Sequence, residues 1–109
     1  MIEALLGSKN AERVLIYILT REEGYPREIA SFYGTDVKPI QMQLDKFEKG
    51  GVLASRTMGR TRPYVFNPRY PFLIELKALL EKALSFYPAN EQEEFTMNRR
   101  RPRARGKNL

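Results

Sequence analysis

The chemistry this sequence offers is that of basic side chains, gathered in two places. Arg99, Arg100, Arg101, Arg103, Arg105 and Lys107 crowd the end of the chain, and no acidic residue occurs from 99 to 109. Earlier, Lys38, Lys46 and Lys49 share a stretch with Gln41, Met42 and Asp45, while Arg56, Arg60, Thr61 and Arg62 bracket Gly59. Guanidinium and ammonium groups at this density suit phosphate. Each neutralised phosphate releases condensed counterions, and the guanidinium fork can hold two oxygens at once. Catalysis has far less to work with. The chain contains no Cys and no His, which removes thiol nucleophiles, thiolate metal ligands, the usual general base and the commonest metal ligand. No glycine-rich phosphate loop is present either. The expectation is a binding protein without cofactor or metal, not an enzyme.

The charge divides unevenly. The whole chain carries a formal +6. Without the six basic groups of residues 99–109, 13 basic side chains face 13 acidic ones, so the body is neutral. Within that body, residues 37–69 hold seven basic groups against two acidic ones, while residues 1–36 sum to −2 and residues 70–98 to −3. A neutral body with a basic central third suggests one positive face turned to nucleic acid. The 109 residues, 42% of them apolar, fit one domain with one modest core. No apolar run approaches a membrane span and no signal-peptide pattern opens the chain, so a cytoplasmic, nucleoid-associated protein is expected.

Periodicity supplies the elements that would carry these groups. Ser8 is a good N-cap for a helix over Asn10–Glu23, with Ala11, Val14, Leu15, Ile18 and Leu19 at helical spacing and Gly24 ending it. Pro26 suits the first turn of a second, two-turn helix that Gly34 stops. A third helix runs from Val37 to Lys49, capped by Asp36 or by Thr35, with Val37, Ile40, Leu44 and Phe47 as its inward stripe. Gly50-Gly51 ends it. Val52–Thr57 and Arg62–Phe66 read as two strands joined by a tip at Met58-Gly59-Arg60-Thr61, with Pro63 implying an edge position. A last helix spans Pro71 to Tyr87. Leu73, Leu76, Leu80, Leu84 and Tyr87 form one stripe on it, and Phe72, Leu79, Ala83 and Phe86 widen the apolar side beyond what one small core needs. Residues 1–88 therefore read as one domain and residues 89–109 as a flexible polar and basic tail.

A short helix, a tight glycine turn, a longer amphipathic helix and a hairpin make a winged helix-turn-helix. The stretch from "LLGSKNAERVLIYIL" through "YPREIASFYGTDVKPIQMQLDKFEKGGVLASRTMGRTRPYVFNPRYP" resembles the small ArsR/MarR-like winged helix-turn-helix transcriptional regulators of prokaryotes. Leu6-Gly7-Ser8, Arg27-Glu28-Ile29-Ala30, Leu44 with Phe47-Glu48, Gly51-Val52-Leu53 and Asn67-Pro68 carry the match. The resemblance implies double-stranded DNA binding as a homodimer and repression of nearby genes. Metal sensing does not carry over, because the metal-sensing members use Cys or His ligands.

The fold class expected is mainly α with a β-hairpin: a winged helix-turn-helix, a C-terminal dimerisation helix and a basic disordered tail. With the apolar stripe of the third helix inward, Lys38, Met42, Asp45 and Lys49 point outward and Gln41 and Lys46 flank them. Base edges are read mainly from the N-terminal part of such a helix. Lys38 would donate to guanine, Gln41 would pair bidentately with adenine, and Met42 would touch a thymine methyl. Lys46 and Lys49 would reach phosphates. The wing, with Arg56, Arg60, Thr61 and Arg62, would contact phosphates and a minor groove. Arg27 and Ser31 would position the backbone. Leu73, Leu76, Leu80, Leu84 and Tyr87 would be divided between core and a second copy, with Ile2, Leu5 and Leu6 joining. The arginine tail would act as an affinity arm. The competing reading keeps the fold as a protein-interaction or antitoxin-like module whose arginines bind RNA or an acidic partner.

Overall fold

The structure is a computed structural model that describes residues 1–96. Its order is α1 (Glu3–Leu6), α2 (Lys9–Arg21), α3 (Pro26–Tyr33), α4 (Val37–Lys49), β1 (Leu53–Ser55), β2 (Tyr64–Phe66) and α5 (Leu73–Ser85). Residues 89–96 add a further helical segment.

The centre is α2. Ser8 caps it as expected, its hydroxyl accepting from the Ala11 N–H at 3.0 Å. Val14, Leu15, Ile16 and Ile18 are wholly enclosed, because α2 packs against α1, α3, α4, α5 and β2. Such an all-round burial explains why its apolar residues exceed a single stripe. The helix ends at Glu22, which takes a left-handed φ of 74°, and not at Gly24. Gly24 serves a different purpose. It exchanges backbone hydrogen bonds with Tyr64 at 2.9 and 2.8 Å, and a Cβ there would come within 2.7 Å of the Ile29 side chain. A side chain there would have to push Ile29 of α3 aside, so glycine lets α3 pack this closely on the α2 exit.

Pro26 opens α3 and Gly34 closes it at φ 67°. The third helix, α4, has the bounds expected, and Ile40, Leu44 and Phe47 are buried. Val37, expected inward, is 39% exposed. The side chain of Asp36 makes no capping hydrogen bond. The hairpin ladder is shorter than its apolar pattern suggested, pairing Leu53 with Phe66, Ala54 with Val65 and Ser55 with Tyr64. Pro63 has no N–H to extend the ladder, and pairing resumes only at the tip, where Met58 and Thr61 bridge.

Behind α2, α5 contributes Leu80 and Ala83 to the core. Residues 89–96 depart from the expectation of a flexible tail starting at 89. Phe95 is 4% exposed and packs against Phe32 at 5.0 Å between ring centroids, with Tyr33 and Tyr87 further out. The Arg21 guanidinium donates to the Phe95 carbonyl at 3.2 Å. Among the described residues no helix is long and apolar enough to cross a membrane.

Candidate nucleic-acid interface

Three elements converge on one cleft of about 640 Å³: the start of α3, the first turns of α4 and the hairpin tip. Arg27, Lys38, Arg60 and Arg62 line it, with Glu28 as the acidic member. Tyr25, Pro26, Val37, Gln41 and Thr61 complete its walls. The cleft therefore joins α3, α4 and wing residues far apart in sequence, and its charge is predominantly positive.

On α4, Lys38, Met42, Asp45 and Lys49 are all exposed, as their angular positions require. Met42 leaves 58% of its surface free. Lys46 is placed differently. Its ammonium donates to the Leu6 carbonyl at 3.2 Å and lies 4.9 Å from the centre of the Phe47 ring. It holds α1 to the flank of α4 and does not line the cleft. Gln41 is half-buried, and its Nε2 donates to Asp45 Oδ1 at 3.0 Å and to the Tyr64 hydroxyl at 2.9 Å. Tyr64 in turn donates to Asp45 Oδ1 at 3.3 Å. Burial pushes the Tyr64 phenol above its ordinary value, so it stays a donor.

The wing arginines divide into two kinds. Arg56 and Arg60 are exposed, and no hydrogen bond, ion pair or ring contact engages them among the described residues. Arg62 is held. Its Nε donates to Ser55 Oγ at 2.9 Å, and its terminal nitrogen lies 3.5 Å from Glu48. The sequence from Gly50 to Ile74 holds no acidic residue, yet α4 supplies one across space. Thr61 closes the tip, donating its hydroxyl to the Met58 carbonyl at 2.8 Å. Gly59 takes φ 63° while Arg60 does not adopt a positive φ. That is the pattern of a type II′ two-residue hairpin, which requires glycine at its first central position. Arg60 is thereby presented at the apex.

Of the residues assigned to a partner copy, Leu80 is fully enclosed within the chain. Leu76, Leu84 and Tyr87 pack against the same core, and Leu73 is half-buried. The stripe chosen from sequence is the side of α5 that faces inward. The apolar groups left to solvent are Ile74 (82% exposed), Phe72, Phe86 and Leu79, with Leu5 of α1. The tail residues Arg99, Arg100, Arg101, Arg103, Arg105 and Lys107 lie outside the described residues.

Sequence reasoning missed Tyr64, Glu48 and Tyr25 as parts of the site. Alternation along β2 puts Tyr64 and Phe66 on one face, but nothing in that pattern reveals which helix the Tyr64 hydroxyl meets.

No protein-family model and no curated protein sequence matches the chain. Solved structures do. Reduced HlyU from Vibrio cholerae, an ArsR/SmtB-family winged-helix regulator, is similar with a TM-score of 0.60 and 17% identity, over 77% of this chain and 82% of that one. ZitR from Lactococcus lactis, a MarR-family regulator solved as a double mutant in its apo form, has a TM-score of 0.54 and 16% identity, over 81% and 75%. The chain has the winged helix-turn-helix fold of such regulators.

Proposed function

We propose that this chain is a sequence-specific, double-stranded DNA-binding transcriptional repressor that acts as a homodimer in the cytoplasm. The observation that carries the reading is the shared cleft, in which Arg27, Lys38 and Arg60 come together from three elements. In this reading α4 enters the major groove, and Lys38, Gln41 and Met42 meet base edges. Arg27, Arg56 and Lys49 contact phosphates on either side, and Arg60 at the hairpin apex follows the adjacent minor groove. Arg62 supports the wing while remaining close enough to phosphate to exchange its Glu48 contact. The exposed apolar side of α5, with Leu5, is the surface offered to the second copy. Two-fold pairing would space the recognition helices about 34–36 Å apart on a palindromic operator.

Binding of fragments from the region upstream of the coding sequence, measured against random duplex over a range of salt, tests this. The expected result is a palindromic fragment bound roughly 1,000-fold or more tightly than random DNA at the same salt. Equal affinity for both would overturn it, and would favour a protein-interaction module whose arginines take an acidic partner or RNA.

A further inference from the structure

We propose that Tyr64 and Asp45 set the base preference of the recognition helix by clamping the Gln41 carboxamide so that it meets DNA as a hydrogen-bond acceptor only. This rests on the reading of Gln41 as a base-contacting residue.

A glutamine amide carries two N–H donors and one carbonyl acceptor. Here both donors are committed, one to Asp45 Oδ1 at 3.0 Å and one to the Tyr64 hydroxyl at 2.9 Å. The hydroxyl closes the ring by donating to the same Asp45 oxygen at 3.3 Å. The direction of the amide follows from chemistry. An ionised carboxylate only accepts, so turning the amide over would set its oxygen against Asp45, and the Tyr64 hydroxyl could donate to that oxygen only by giving up Asp45. The clamp is built on fixed parts. Tyr64 is 1% exposed, paired with Ser55 across the hairpin and bonded through its backbone to Gly24. Asp45 lies one turn further along the same helix as Gln41. The remaining polar atom, Gln41 Oε1, has no hydrogen-bond partner among the described residues and is not closed off from solvent. It is the group that Gln41 presents where it lines the cleft.

A free glutamine reads adenine with both groups at once, donating to N7 and accepting from N6. A clamped one cannot donate. Its oxygen can accept from the exocyclic amine of adenine or of cytosine, whereas guanine and thymine show it only acceptors in the major groove. The bidentate adenine contact expected from the sequence is thus replaced by tolerance of either amino-bearing base on the contacted strand. The wing acts here as part of the reading surface without touching DNA at that point, and Tyr64 is a positioning residue.

The test is selection of bound sites from a randomised library, followed by affinity measurements on single-position variants of the selected site. Full-length protein would be compared with Gln41→Ala, Tyr64→Phe and Asp45→Ala. Tyr64→Phe keeps the buried ring, and Asp45 is exposed, so both variants retain the fold. For the unmodified protein one position should accept adenine and cytosine about equally and disfavour guanine and thymine by about tenfold. Gln41→Ala should erase the preference at that position alone. Tyr64→Phe and Asp45→Ala each release one N–H, and each should raise adenine over cytosine by about tenfold. Removing the Asp45 charge also tightens binding to every sequence, so the ratio between bases is the readout. A strong adenine preference in the unmodified protein would overturn the clamp. So would an unchanged adenine-to-cytosine ratio in both clamp variants while Gln41→Ala still erases the preference. If Gln41→Ala leaves every position unchanged, Gln41 reads no base, and the assignment beneath the clamp falls with it.

Discussion

Glu12 is an acidic side chain in the first turn of the core helix α2, 3% exposed. An unpaired carboxylate there would be costly. Its oxygens are instead used to gather the two ends of the domain. One accepts from the Ile2 N–H at 2.8 Å and from the Met1 ammonium at 3.0 Å, and the other accepts from the Tyr87 hydroxyl. Replacing Glu12 by Ala removes both acceptor oxygens and leaves these donors to find water in a packed site. The expected cost is about 3 kcal/mol, since hydrogen bonds to a charged group are worth about 1.5–3 kcal/mol each and part is recovered by solvation. A chemical denaturation curve reads this directly, and an unchanged midpoint would show that the carboxylate holds nothing together. Glu12, Gln41–Tyr64 and Glu48–Arg62 share a property that made them invisible in the sequence. Each partner lies far away along the chain, and polar pairings follow no periodicity. The outward residues Lys38, Met42, Asp45 and Lys49 were legible because a single helix fixes their angles without help from elsewhere.

At the scale of elements, α5 poses the sharpest question. Its apolar residues cover roughly half of the helix, with Ile74 apart from them, and the core takes one side. Leu80 is enclosed, whereas Ile74 is 82% exposed. If the outer side joins two copies, Ile74→Glu should leave the monomer folded and abolish the dimer, lowering affinity for a palindromic site by about 100-fold or more because two half-sites are no longer linked. Leu80→Glu should unfold the chain outright, since it buries an unpaired charge. Light scattering at micromolar concentration and a thermal melt separate these outcomes; an Ile74→Glu protein that stays dimeric would move the interface elsewhere. The sequence marked this helix as doubly used, but its apolar pattern did not separate Leu76, Leu80, Leu84 and Tyr87, which pack on the core, from Ile74, which is exposed. A broad apolar face carries no information about which part meets its own core. Helix starts and stops were legible, because Ser8, Pro26 and Gly34 act locally through capping, a fixed φ and a positive φ. The helical segment at 89–96 was not. It docks mainly through one aromatic residue, Phe95, within an otherwise polar run, and a lone apolar residue makes no pattern.

For the whole molecule, charge and shape have to be considered together. The body is neutral overall, yet the fold collects Arg27, Lys38 and Arg60 around one cleft, with Glu28 as the acidic residue lining it. The arginine tail supplies the excess positive charge, and Phe95 fixes the chain to the body three residues before Asn98. A body with its own reading surface and an appended cluster of six basic residues should separate two quantities that one compact site would couple. Base preference belongs to the cleft, whereas much of the affinity at low salt belongs to counterion release along the backbone. A chain ending at Asn98 should therefore bind every duplex more weakly and with a flatter dependence on salt. The slope of log affinity against log salt should shrink by about 0.9 for each tail residue that had neutralised a phosphate. The ratio between operator and random DNA should change little. Titrations of both duplexes at several salt concentrations, with the full chain and the shortened one, measure both quantities at once. A shortened chain that keeps its salt slope would mean the tail serves a partner other than DNA. One that loses the ratio would mean the arginines read sequence themselves.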